Sequence, residues 1–409
     1  MRIAEAVQLV NGTEAWGKWQ NQPLPLTLSV YIFNTTNPYE VATGRKPKLQ
    51  ELGPYVYEKC VTKVSIGLHE GKTTVTYTDQ VHYFFRPDSS NGTEQDRVKV
   101  LNIPLTILAS VASKKGVLAQ MVVGAVLGEH EEEELFMDVT VEQLLFQGKY
   151  VPMMKTLVDT TSQLPALKNH TFGMFYPKNG SDEGLWQMRT GVGDPTQLGR
   201  IVSWNGKTEL DFWPAQSSCN MINGTTGFIF PPFLTPDTTL RVFYPDLCRS
   251  VYLKYTQDIE FHGIQGYRFA LSKQALEDPR INKENACFCT ERNRTECLRS
   301  GTIQLSACRG GAPVVMSTPH FLDGSADYVR MTEGLKPNRE HHSTFIDVEP
   351  KTGKILRLHK RTQVNIDLKT NMVSDHFTGV PEILYPILWT DESMLMDEAT
   401  QEAVKRLNL

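Results

Sequence analysis

Six of the seven cysteines fall between positions 219 and 308: Cys219, Cys248, Cys287, Cys289, Cys297 and Cys308. The run Cys287-Phe288-Cys289 cannot close on itself without straining the Cα geometry of a disulfide, so each of the two reaches a different partner. Six cysteines admit many pairings, and spacing does not choose among them. Thiolates are also good zinc ligands, so the block has two chemical readings, a zinc site or a set of disulfides. Compartment separates the two. Asn-x-Ser/Thr sequons stand at Asn11, Asn34, Asn91, Asn169, Asn179, Asn223 and Asn293. That is more than the roughly one per hundred residues that an average composition produces. The excess points to a secreted or lumenal chain. Such a compartment is oxidising, which favours disulfides over zinc. The seventh cysteine, Cys60, is expected to be a buried free thiol.

Other reactive residue types carry less. His341-His342 with Asp347 could be drawn as a metal site, but neighbours on a strand point to opposite faces, so a surface or turn role is expected. His320, after Pro319, reads as a packed core histidine rather than a general base. The run Glu129-His130-Glu131-Glu132-Glu133-Glu134 reads as a solvated face, in which the carboxylates favour the protonated form of His130. There is no Gly-x-Ser-x-Gly elbow, no His-Glu-x-x-His helix and no phosphate loop. Catalysis is therefore not expected, and neither a metal nor a cofactor is implied.

The elements that must carry these residues are mostly strands. Leu28–Phe33, Thr73–Tyr77, Val81–Phe85, Trp186–Arg189, Ile201–Trp204, Leu210–Trp213, Leu240–Tyr244 and Ser250–Tyr255 are short β-branched or aromatic runs between Gly, Pro and Asn. Gly53-Pro54 reads as a turn entering a strand. In Gln363–Lys369 apolar and polar residues alternate, as in a strand with one wet face. Between Leu105 and Leu127 the pattern becomes helical, with Leu118, Met121, Val122, Ala125 and Val126 on one stripe. That stripe either packs within a helix pair or faces a partner or lipid. A further helix is expected at Val141–Phe146 behind a Thr140 N-cap, a short one at Ile3–Val10, and a closing amphipathic one at Glu392–Leu409. The fold class is α+β, mainly antiparallel β, and residues 1–409 are expected to form one β-rich unit with a helical insert at 102–155.

A chain of 409 residues with 40% hydrophobic content can build a sizeable core. The net charge of −4 leaves no nucleic-acid footprint. No run approaches the ~18–20 apolar residues of a membrane span. The start at Met1-Arg2-Ile3 is not a signal peptide, and the chain is expected to be the lumenal portion of a longer protein.

At this level of detail the chain resembles the class B scavenger receptor family. The matching pieces run in order along nearly its whole length. They include Asn11-Gly12-Thr13-Glu14, Asn34-Thr35-Thr36-Asn37-Pro38, Gly53-Pro54-Tyr55-Val56-Tyr57, Cys219-Asn220-Met221-Ile222-Asn223-Gly224-Thr225, Pro231-Pro232-Phe233 and Cys248-Arg249-Ser250. Pro319-His320-Phe321, Gly334-Leu335-Lys336-Pro337-Asn338 and Pro386-Ile387-Leu388-Trp389 complete the set. The resemblance implies a membrane span at each end and a large ectodomain between them. It implies a β-barrel core crossed by an apolar tunnel, with 102–155 as a helical bundle at the apex. It also implies the pairing Cys219–Cys287, Cys248–Cys308 and Cys289–Cys297 within the disulfide-bonded region 219–308, with Cys60 unpaired.

The implied function is a membrane-anchored lipid or lipoprotein receptor. It would capture ligand at the apex and pass a sterol, fatty acid or phospholipid down the tunnel to the bilayer. The expected location is the plasma membrane, extracellular face, or alternatively the lysosomal membrane, lumenal face. The apical ligand-binding set is Lys114, Lys115, Leu118, Met121, Val122, Ala125, Glu129, His130 and Glu131. Its acidic run should repel anionic particles, which favours a protein partner with a basic face or a neutral lipid carrier. Two alternatives stand beside this: a lysosomal receptor that traffics a soluble hydrolase, and a sensory-neuron membrane protein that delivers apolar odorants.

Overall fold

The computed structural model describes residues 3–21, 26–128, 134–153, 170–176, 178–291, 293–370, 372–373 and 375–408. In chain order the helices are α1 (Ile3–Ala6), α2 (Glu14–Gln20), α3 (Pro38–Ala42), α4 (Ile103–Lys114), α5 (Val117–Gly128), α6 (Ala326–Arg330), α7 (Arg339–His342) and α8 (Glu398–Asn408). The strands are β1 (Leu26–Thr35), β2 (Leu49–His69), β3 (Thr74–Phe85), β4 (Arg97–Leu101), β5 (Phe136–Thr140), β6 (Lys149–Tyr150), β7 (Thr171–Phe172), β8 (Asp182–Arg189) and β9 (Ile201–Trp204). They continue as β10 (Thr239–Tyr244), β11 (Arg249–Phe261), β12 (Ile264–Leu271), β13 (Thr302–Gln304), β14 (Val314–Ser317), β15 (Phe345–Glu349), β16 (Lys354–Leu368) and β17 (Ile383–Leu395). The protein is thus α+β, dominated by antiparallel sheet.

Among the described residues, thirteen strands join one sheet, whose main path runs β10-β11-β12-β15-β16-β17-β1-β2-β3-β8-β9. Every ladder in it is antiparallel. The end strands β9 and β10 do not pair directly, but one segment lies between them. Ile201 N–H donates to Gly224 O at 2.9 Å on one side, and Thr225 N–H donates to Arg241 O at 3.0 Å on the other. Thr225 O in turn accepts from Phe243 N–H at 3.0 Å. Side chains meet across the same gap: the rings of Trp204 on β9 and Phe243 on β10 are 5.7 Å apart. A flat sheet would hold its first and last strands some tens of ångströms apart at ~4.8 Å per strand. The sheet therefore curls strongly.

The main core lies between the β1/β17 region and the helical segment. It joins Val30, Ile32, Phe33, Leu388 and Tyr385 to Leu105, Leu108, Val126 and Leu127. Strands β4 and β5 pair with Leu101 opposite Phe136, so α4 and α5 rise from the base of a hairpin.

Several expected elements take a different form. Gly53-Pro54 lies inside the long strand β2, with a cis peptide, opposite a register shift between Val30 and Ile32 of β1. Leu210–Trp213 is irregular chain with bends, preceded by the isolated bridges Trp204–Lys207 and Glu209–Met221. The first helix ends at Ala6, and the closing helix begins at Glu398, because β17 continues through Leu395. The Val141–Phe146 helix is a short wide-turn π-helix at Gln143–Gln147. Thr140 Oγ1 accepts from Gln143 N–H at 3.2 Å while Gln143 Oε1 accepts from Thr140 N–H at 3.1 Å, a reciprocal cap. The alternation at 363–369 is kept in part: Ile366 and Leu368 are buried and Lys369 is exposed as expected, but Gln363 and Asn365 are fully buried as well and Val364 is half-buried. Asn365 Nδ2 donates to Val315 O and Ser317 Oγ, Gln363 Nε2 donates to Asn365 Oδ1 and Gln363 Oε1 accepts from His320 N–H, so the neighbouring strand β14 and the turn at His320 satisfy the buried amides.

Candidate functional site

The helical segment presents an apolar surface. Asn102 caps α4, its Oδ1 accepting from Leu105 N–H, and Pro104 occupies the first turn, where its missing donor costs nothing. Gly116 at φ +93° turns the chain between the helices. On α5 it is Val123, Val126 and Leu127 that pack inward. The stripe read from the sequence points out: Leu118 and Met121 are 78% and 67% exposed, Ala125 is exposed and Val122 half-buried. Val126, assigned to the same stripe, is a core residue. Val117 beside them is also exposed, so a contiguous apolar patch faces solvent, a feature of binding surfaces. Lys114 and Lys115 are exposed at the C-terminal end of α4, where cations suit the helix dipole. Glu129, His130 and Glu131 lie outside the described residues.

A second feature is charge gathered on one face of the sheet. Lys360 on β16 stands directly opposite Glu392 on β17, its Nζ 2.5 Å from Glu392 Oε2. Lys59 on β2 reaches across β1 to Glu392 Oε1 at 2.9 Å and lies 3.8 Å from Glu183 on β8. Tyr83 on β3 is directly opposite Lys59. Tyr244 on β10 sits under Lys360, whose Nζ is 4.9 Å from the ring centroid. Burial pushes the Glu392 carboxyl up, but Lys360 and Lys59 outweigh it and hold the group down to about 2. Burial likewise works against the Lys59 ammonium, which Glu392 and Glu183 hold well above its ordinary range. The network is ionised and mutually dependent.

Next to it lies Asp246, in the turn after β10. Lys178 Nζ donates to both its oxygens at 2.8 Å, and Arg309 Nη2 approaches at 3.3 Å. Burial raises this carboxyl, yet Lys178, Arg309 and Lys360 hold it well below the carboxylate range. Asp246 keeps 57% of its side-chain surface exposed.

The cysteine block is fully bonded: Cys219–Cys287, Cys248–Cys308 and Cys289–Cys297, with Cα separations of 6.0, 6.4 and 5.6 Å. The neighbouring Arg249 stacks 3.5 Å from the Phe288 ring centroid and donates to Ala275 O, and burial lowers its guanidinium to about 9. Cys60 is a free, half-buried thiol. Of the sequon residues, Asn11, Asn91, Asn179 and Asn293 are exposed and Asn34 and Asn223 half-buried, and Asn169 lies outside the described residues.

The histidines pair with one another instead of ligating. His341 and His342 lie on α7, not a strand, and His342 is buried against His320. Asp347 is held by Arg268 Nε at 2.7 Å and Arg357 Nη2 at 2.8 Å, so it is not available to a metal. Among the described residues no group of His, Cys, Asp and Glu could hold a metal ion.

Lys59, Lys178, Asp246, Arg309, Lys360 and Glu392 escaped the sequence reading. The available signal was a charge placed in an inward register of a long strand, as with Glu392, which shares the register of Leu388 and Thr390 on β17.

The described residues thus form a disulfide-braced antiparallel sheet, charged on one face, with a helix whose outer side is apolar. The chain belongs to the CD36 family, whose model matches residues 1–409. It is 35% identical to human "Lysosome membrane protein 2" over 409 residues, 99% of this chain and 82% of that protein. It is 31% identical to mouse "Scavenger receptor class B member 1", covering 97% and 75% respectively. It is 29% identical to Anopheles gambiae "Sensory neuron membrane protein 2", covering 97% and 81%.

Proposed function

We propose that residues 1–409 are the ectodomain of a membrane-anchored lipid receptor. The patch around Leu118 and Met121 captures a lipid-bearing ligand, and the curled sheet acts as a barrel whose interior conducts lipid to the bilayer. One observation carries this reading: β9 and β10, the ends of the sheet path, are drawn together around the Gly224–Thr225 segment and the Trp204–Phe243 contact. An apolar conduit is physically apt, since each methylene kept dry is worth about 0.8 kcal/mol. The hairpin base at β4 and β5 supports 102–155 as an apical insert. The sequons are the proposed glycan sites, consistent with a plasma-membrane or lysosomal-lumen location. The test is crosslinking with a photoactivatable sterol, with adducts mapped by mass spectrometry. Adducts at Tyr83 or Tyr244 support an interior path, and adducts confined to α5 contradict it.

A second reading follows from the 35% identity to a lysosome membrane protein. Here α5 docks a soluble hydrolase for delivery to an acidic compartment. Binding of such a partner that is lost on acidification, without lipid uptake by the chain, would favour it.

A further inference from the structure

Arg249 is a buried cation with no opposite charge beside it. It opens β11 directly after Cys248 and is only 4% exposed. Among the described residues its guanidinium meets neutral oxygens alone. Nη2 donates to Ala275 O at 3.0 Å and to Asn285 Oδ1 at 3.5 Å, and Nε donates to Ser250 O at 3.5 Å. Nη1 has no partner among the described residues. The Phe288 ring under the guanidinium is a favourable neighbour but does not neutralise it. Arg361, the other arginine buried to a comparable degree, is paired with Asp391 at 2.9 Å. A buried charge is costly unless it is paired, so Arg249 stands out. Burial lowers the group to about 9, with Tyr252 acting against it, and it therefore still carries its charge at neutral pH.

A small cavity adjoins this cation. Its volume is about 30 Å³, and Arg249, Leu276, Phe288 and Gln304 help to line it. That is room for one small ion or a water. A buried water needs two to four polar partners, and Leu276 and Phe288 offer none. Gln304 Nε2 donates one hydrogen to Glu291 Oε1 at 3.0 Å and keeps a second. Glu277 and Arg299 also border the cavity. Arg299 is already paired with Asp327, and no ion pair joins Glu277 to Arg249 among the described residues. The surroundings are thus donor groups and apolar walls around an unmatched positive charge, which suits a small monovalent anion.

We propose that this cavity is a binding site for a chloride ion, held by the Arg249 guanidinium beside the Cys289–Cys297 disulfide. The ion supplies the charge that no carboxylate supplies. It also fastens the disulfide-bonded region, because Arg249 follows Cys248 while Phe288 lies between Cys287 and Cys289. The site is separate from the α5 surface and from the proposed lipid path, and it stands whether or not those readings do.

The test is thermal unfolding of the purified glycosylated chain at fixed ionic strength, with sodium chloride replacing sodium gluconate, whose anion is too large for the cavity. The wild-type midpoint should rise by about 2 °C or more over a hundredfold increase in chloride. Arg249→Met keeps an unbranched side chain without the charge and should lose that rise. Arg309→Met removes a guanidinium that is 43% exposed and should keep it. If the Arg249→Met chain does not fold, wild-type crystals grown in sodium bromide decide the matter, and anomalous density beside Arg249 supports the site. A wild-type midpoint indifferent to chloride, a rise that survives in Arg249→Met, or bromide found only on the outer surface overturns it.

Discussion

His320 and His342 lie face to face, with ring centroids 4.3 Å apart and planes 9° from parallel. His320 Nδ1 accepts from Lys336 N–H and His342 Nδ1 accepts from Asn338 N–H, both at 3.0 Å. Each ring therefore carries its proton on Nε2, and His320 Nε2 lies 2.6 Å from Glu51 Oε2. Burial first, then neighbouring His320, lowers His342 to about 4; His341 and Arg361 act in the same sense and Glu51 against them. A histidine lowered in the folded state favours unfolding once the unfolded form protonates. Its contribution is complete above the ordinary value of 6.5 and is lost as pH falls toward 4. The loss is about 3 kcal/mol at most. Denaturation at about pH 7 and about pH 4.5 should show a smaller pH difference for His342→Gln than for wild type. An unchanged difference would refute the assignment.

The Glu392 network should respond elsewhere on the pH scale. Glu392 is lowered to about 2, so its contribution is complete above the ordinary value of 4.5 and is lost progressively as pH falls from there through about 2. Glu392→Gln leaves Lys59 and Lys360 without their shared partner, and should cost about 3–5 kcal/mol in urea unfolding at neutral pH. A cost below about 1 kcal/mol would mean that solvent already screens these charges.

The two long disulfides close spans of 68 and 60 residues, and the third a span of 8. Chain entropy predicts about 4 kcal/mol for each of the first two and about 2.5 for the third. Paired Cys→Ser replacements should follow that order in thermal unfolding. Equal losses would point to native-state packing, such as Phe288 on Trp213, as the dominant effect.

Leu118→Glu with Met121→Glu should change stability by no more than about 0.5 kcal/mol, as both side chains are exposed. Capture of lipid particles should fall about tenfold or more. Undiminished capture would remove α5 from the proposed ligand surface.

Local pattern made most strands and the helix pair legible, because periodicity reports which face of an element is dry. It failed where dryness came from distant chain. Gln363 and Asn365 look like a wet face until β14 and the turn at His320 supply their buried amides with hydrogen-bond partners. The stripe with Leu118 and Met121 reads either as packed or as partner-facing, and only the fold shows that Val123, Val126 and Leu127 take the inner side of α5. Glu392 looked like a helix start because nothing nearby in sequence announces the two lysines that allow it inside a strand. The convergence of β9 and β10 joins residues far apart along the chain, which no local window can contain.

Native mass spectrometry of the purified glycosylated chain, with lipid extraction, tests the central claim most directly. The account predicts a near-stoichiometric sterol, fatty acid or phospholipid that survives transfer to the gas phase. A bare protein mass, unchanged after incubation with cholesterol or oleate, would contradict the interior conduit.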